Sequence, residues 1–244
     1  MFNYFNIDKK TINIIMIILI ATGILRYLNS TEAILGLLLS LPGILIAITF
    51  HEYAHAKTAD ILGDDTPRYE GRLNLNPFNH LDPIGFVMLL FAGIGWGKPV
   101  HVNPLKFNRT ITMEKGNAIV SIAGPLTNFI LAILFAIIQC LIVRSIKTFP
   151  SNSLIIIIKI ISQIIIINIA LGVFNLIPLP PLDGSKVIKP FLSYNVKQWF
   201  EKNEMIFYFI FIIIWVTGLV DVFISPAITS IYNGLINLLS LIIK

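Results

Sequence analysis

Five consecutive residues, His51-Glu52-Tyr53-Ala54-His55, bring the side chains of a hydrolytic metal site together. Two histidines at i and i+4 lie on one helix face, one turn apart, so both imidazoles can reach a single zinc ion. The glutamate beside the first is placed to serve as general base. The motif closes an apolar run that begins at Ala33 and carries no charge before Glu52. Ionisable groups at the end of such a run are costly and generally functional. The plainer reading, polar residues capping a helix at a membrane boundary, leaves the glutamate unexplained.

A catalytic zinc takes three protein ligands and keeps a fourth position open. Spacing does not single out the third. The longer pattern with glycine and a further histidine is missing, because Thr58 and Ile61 occupy those positions. Glu70, His80, His101 and Asp183 are the candidates, while Asp60, Asp64 and Asp65 read as a solvated loop. Asp183 ends the run from Asn175 through Pro178, Pro180 and Pro181 to Asp183-Gly184. Its prolines remove backbone donors and stop the preceding helix. Extended chain at membrane depth is tolerated only where it lines a cavity or is buried in protein. A simple helix stop with a turn aspartate before Gly184 is the competing reading.

The elements that must position these residues are membrane helices. Of 244 residues, 56% are hydrophobic and 13% charged, with a mean hydropathy of +0.83. A soluble domain is about one quarter charged. Such a composition excludes a disordered chain, a disulfide scaffold and a nucleic-acid-binding domain. The net charge of +5 therefore points to anionic lipid and not to nucleic acid. The single cysteine, Cys140, cannot form an intrachain disulfide and reads as a packing residue. The fold class expected is an all-α polytopic membrane protein, a single integral membrane domain over residues 1–244.

Six apolar segments approach the length of a span: Thr11–Tyr27, Ala33–His55, Asn117–Val143, Leu154–Ile177, Met205–Val222 and Pro226–Ile243. The first lacks a small-residue cleavage site and reads as a retained helix. The last two, residues 205–243, read as a helical hairpin turning near Ser225-Pro226. Ile84–Trp96 is short and glycine-containing, so a re-entrant or interfacial segment is expected there. With cytoplasmic termini, the inside carries Lys9, Lys10, Lys57, Arg68, Arg72, Lys98, Lys106, Arg109, Lys115, Lys186, Lys189, Lys197, Lys202 and Lys244. The outside keeps Arg26, Arg144 and Lys147. A full crossing by Ile84–Trp96 would erase that bias, so both termini are expected in the cytoplasm.

These residues resemble the site-2 protease family of intramembrane zinc metalloproteases, in its compact bacterial type without a PDZ or CBS domain. The likeness runs from about Gly43 to Pro190. It is carried by His51 to Ala56, Gly71 to Pro77, His80 to Gly85, Gly95 to Val100 with Asn103-Pro104, Ala123 to Asn128, and Asn175 to Gly184. The resemblance implies a catalytic core over residues 33–190. It implies one zinc per chain held by His51, His55 and Asp183, Glu52 as base, and Asn175 orienting or polarising the scissile carbonyl. Glu70, His80 and His101 become structural.

A membrane-protein substrate would be cut in or near a transmembrane segment at the cytoplasmic face. The expected location is the cell membrane of a bacterium, with lipid as the other partner. Because a membrane helix hides its carbonyls, the substrate must be unwound, and Thr66–Leu75 is expected to offer a strand edge or small β-hairpin beside the site. Asn128 and Asn168 read as interhelical hydrogen bonds. The rival functions are a non-proteolytic membrane metal-binding or transport protein and an inactive relative. Neither an inverted repeat nor a second set of ionisable residues supports transport.

Overall fold

The computed structural model describes residues 9–92, 95–148 and 152–243. Among the described residues, four helices are long and apolar enough to cross a membrane: Thr31–Ile61, Met113–Ser145, Ser153–Asn175 and Ile224–Ile242. The first belongs to helix α2, Thr31–Ile61, which follows α1, Lys9–Leu28. Ser30 starts α2, its hydroxyl accepting from Ala33 N at 3.1 Å, with Glu32 in the positive first turn. After Ile61 the chain turns at Gly63, whose φ of +105° suits glycine.

Two short helices follow, α3, Thr66–Tyr69, and α4, Pro77–His80, and then α5, Pro83–Ala92. The long helices α6, Met113–Thr148, and α7, Asn152–Asn175, come next. Then come α8, Asp183–Ile188, α9, Tyr194–Lys202, α10, Glu204–Val216, and α11, Leu219–Ile242.

Helices α2, α6 and α7 form the centre of the bundle. Small residues let their backbones approach, as expected where lipid supplies no hydrophobic drive between helices. Ala47, Ala56 and Ala59 of α2 are fully buried. A Cβ at Gly43 would lie 3.1 Å from Ile164 Cα of α7. On the far side of α6 and α7, Ala132, Ala136, Ile161, Ile165 and Ile169 form a core covered by Ile228, Tyr232 and Leu235 of α11.

Helix α5 leans on α1. Tyr27 donates to Leu90 O at 2.7 Å, and its ring meets Phe91 edge to face. Gly23 has no side chain because the Phe91 backbone lies against it. Ten residues of α5 reach about 15 Å, half a bilayer core. The chain then comes back: Leu81 and Gly97 pair in an antiparallel bridge, and Lys98 N donates to His80 O at 2.8 Å. The two ends of the Ile84–Trp96 segment therefore meet, and it returns to its starting point. Gly93 and Ile94 lie outside the described residues.

Two expectations are corrected. No strand forms among the described residues, and the β-hairpin is reduced to that one bridge. Thr66–Leu75 is a helical turn followed by a bend at Gly71, φ +67°, because Pro67 starts a helix and glycine takes the left-handed turn. The turn within residues 205–243 lies at Thr217-Gly218, not at Ser225-Pro226. Gly218 adopts φ +71° and ends α10, whereas Pro226 sits inside α11. A membrane helix tolerates an internal proline, and only glycine enters the left-handed region without strain.

Candidate metal centre

His51 and His55 project from one face of α2, as their spacing demands, and both are buried. Asp183 arrives from the other end of the core as the first residue of α8. The proline run folds back on itself, with Leu179 N donating to Ile177 O and Leu182 N to Leu179 O. Gly184 lies directly on the carbonyls of Leu176 and Ile177, where a side chain has no room. This close packing carries Asp183 to the histidines. Its Oδ2 lies 3.1 Å from Nε2 of each, and the two Nε2 atoms lie 3.0 Å apart.

The outer nitrogens define which atoms face inward. His55 Nδ1 is 2.7 Å from Val120 O, and His51 Nδ1 is 2.7 Å from Asn128 Oδ1. Both partners only accept, so both imidazoles carry their proton on Nδ1 and turn an Nε2 lone pair inward. Three acceptors thus converge with no hydrogen among them, and such a set requires a cation. Two imidazoles and a carboxylate are the donors that zinc takes in hydrolytic sites, and the outer hydrogen bonds are of the kind that orient ligands. The residues fit the metal. When protons fill the gap in its place, imidazolium charge outweighs the effect of burial, which by itself raises the Asp183 pKa. The carboxyl is then held well below the usual range.

Gly124 of α6 makes room for this arrangement. A Cβ there would lie 2.5 Å from His55 Nε2 and 2.7 Å from His51 Cε1. Both rings are pinned by their Nδ1 bonds and cannot withdraw. Gly124→Ala is expected to lower zinc affinity by about 10–100-fold, as loss of ligand orientation does, read by chelator competition. Unchanged affinity would show that the rings can move.

Glu52 points to the returning segment. Its Oε2 accepts from Val100 N at 3.2 Å, and a Cβ at Gly97 would stand 3.2 Å from Oε1. That segment is itself anchored by buried Arg72, which donates to Asn79 O, to Lys98 O at 3.3 Å and to Pro99 O at 3.2 Å. Arg72→Met leaves these carbonyls unpaired and frees the wall behind Glu52. The expected result is retained zinc with cleavage reduced about tenfold or more, the scale of one or two lost hydrogen bonds to a charged group. Zinc loss in a folded variant would tie Arg72 to the metal instead.

The remaining candidates lie elsewhere. Glu70 pairs with exposed His101 at 2.9 Å. His80 is buried, donating from Nε2 to Asn74 O at 2.7 Å. Asp60 holds Arg68, Asp65 holds Lys106, and buried Asp64 accepts from Thr66 N and Asn103 N. Asn175 is the last residue of α7 and donates to Leu171 O of its own helix at 3.0 Å. Among the described residues, His51, His55 and Asp183 are the group able to hold a metal ion. The sequence marks Asn128 as a helix contact, and its bond to His51 emerges only from the fold. An amide within an apolar helix, four residues after a glycine, is the available signal.

Residues 142–218, which include Asn175 and Asp183, match the description of peptidase family M50. The chain is 33% identical over 205 residues to "Putative zinc metalloprotease YwhC" of Bacillus subtilis, covering 82% of this chain and 90% of that protein. The chain belongs to peptidase family M50, the site-2 proteases. A protein of the same description from Methanocaldococcus jannaschii, MJ0611, is 30% identical over 190 residues, 76% of this chain and 87% of its own. Rip2 of Mycolicibacterium smegmatis is 29% identical over 172 residues, 66% of this chain and 63% of its own. No solved structure gives a significant match. The M50 peptidase described here is thus a zinc metalloprotease of the site-2 type.

Proposed function

We propose that this M50 peptidase hydrolyses a peptide bond in or beside a transmembrane segment of a membrane-protein substrate, near the cytoplasmic face. The observation that carries the reading is the convergence of three lone-pair donors at the end of an apolar helix, with a carboxylate beside them. His51, His55 and Asp183 hold one zinc per chain. When bound, zinc supplies Lewis acidity to water and to a peptide carbonyl. Glu52 takes the proton of the attacking water and passes it to the leaving amine. Its bond to Val100 N keeps the carboxylate aimed while it waits. Asn175 gives up its bond to Leu171 O to donate to the carbonyl oxygen as charge develops there.

The whole chain is one integral membrane domain, with residues 33–190 as the catalytic core. Both termini are cytoplasmic in this reading, and six crossings are made by α1, α2, α6, α7, α10 and α11. The 13 residues of α10 reach about 20 Å, and local thinning of the bilayer takes up the difference. Lipid is the second partner, and a bacterial cell membrane is the location. A substrate helix must be unwound before its carbonyls are free, so glycine- or proline-weakened helices are preferred.

Co-expression with a panel of tagged transmembrane segments, followed by mass spectrometry of the fragments, tests the proposal. Cleavage within or next to the membrane segment is expected, at the end facing the cytoplasm. Cleavage confined to soluble loops would overturn the substrate assignment.

A further inference from the structure

Asn168 lies in the span formed by α7 and is fully buried. A buried amide must place its hydrogens and its oxygen, or bear the cost of leaving them unpaired. Its Nδ2 donates to Ile164 O of its own helix at 2.8 Å. That turns Oδ1 toward α6, where it accepts from Nδ2 of Asn128, also fully buried, at 2.9 Å. The same Nδ2 donates its other hydrogen to Ala47 O of α2 at 3.1 Å. With both hydrogens committed, Asn128 presents Oδ1 to His51 Nδ1.

We infer that Asn168 is a positioning residue for the metal site, acting through the Asn128 amide to set the tautomer of His51. The inference rests on the metal-site reading above. Turning the Asn128 amide over would set its oxygen against two acceptors, Ala47 O and Asn168 Oδ1. It would also set its NH2 against His51 Nδ1. His51 would then carry its proton on Nε2, aimed at Asp183 where the metal belongs. Two acceptors oppose that state. The Ala47 carbonyl is backbone and present whatever the side chain, so Asn168 is the member of the pair that the sequence controls. The relay runs through three helices, from Ile164 on α7 through α6 to His51 on α2, and Asn168 itself contacts no ligand atom in it.

Zinc affinity of the full chain in detergent, measured by chelator competition, tests this with Asn168→Leu, Asn128→Leu and the double variant. Each single change is expected to weaken zinc binding by about 10–100-fold. The double variant is expected to bind no more weakly than Asn128→Leu alone, because Asn168 acts through Asn128. Unchanged affinity in folded Asn168→Leu, or full additivity in the double variant, overturns the inference. Should Asn168→Leu lose its helical content, Asn168→Ser gives the same comparison. Its hydroxyl bonds back to Ile164 O and is too short to meet Asn128.

Nitrogen-15 spectra of histidine-labelled protein resolve four rings and report the tautomer itself. In the zinc-free Asp183→Ala chain at alkaline pH, where no carboxylate draws the proton to Nε2, His51 is expected as the Nδ1–H form, and as a mixture once Asn168→Leu is added. An unchanged tautomer in the variant would reduce Asn168 to packing and overturn the inference. A wild-type chain that binds no zinc would sink the metal-site reading, and the tautomer would still decide the relay.

Discussion

A Glu52→Gln chain is expected to keep its zinc and to lose cleavage by about 10²–10⁴-fold, the range that a positioned general base supplies. Glutamine matches the shape of glutamate and retains an oxygen to accept from Val100 N, the bond that Glu52 makes at 3.2 Å. The wall formed by Gly97 to Val100 therefore stays in place. What the amide cannot do is take up a proton at neutral pH. The three converging atoms belong to His51, His55 and Asp183, so the substitution leaves the metal set whole. Zinc content and cleavage of a tagged transmembrane substrate, measured on the same preparation, separate the two roles. Wild-type turnover in Glu52→Gln would remove Glu52 from the chemistry, and zinc loss would make it part of the holding set.

Asp183→Ala is expected to reduce zinc from about one per chain to nearly none in a chain that still folds. The carboxylate is the one anionic donor in the set and sits 3.1 Å from both imidazole nitrogens. Without it, two histidines one helical turn apart remain, too few for a zinc site of three protein ligands. His55→Ala should behave alike, and helical content checks that the bundle has survived. Zinc retained by Asp183→Ala would show that the metal is held without α8. None of Glu70, His80 and His101 is positioned to replace Asp183, because each is bonded elsewhere.

The two histidines and Glu52 were legible because their relation is local. Four residues apart on a helix means one turn apart on one face, whatever the rest of the chain does. The long spans were legible for a similar reason: a run of apolar side chains records its own burial in lipid, and α2, α6 and α7 follow the hydropathy closely. In residues 205–243 the proline is the conspicuous turn signal, yet Gly218 is the residue that reverses the helix. Hydropathy does not register a left-handed φ. The expected strand in Thr66–Leu75 failed because its alternation was weaker than the helix-starting Pro67 and the turn at Gly71.

By itself, then, the sequence determined the local constellation His51-Glu52-His55, the membrane helices that carry it, and the loop from which an acidic third partner could come. Which of four distant residues meets the histidines was decided only by tertiary structure, because 128 residues separate His55 from Asp183. The packing of Gly184 against Leu176 and Ile177, and the clearance left by Gly124, bring them together. The same holds for Asn128 and Asn168. An amide in an apolar helix announces that it needs partners, but its orientation depends on which carbonyls three separate helices place around it.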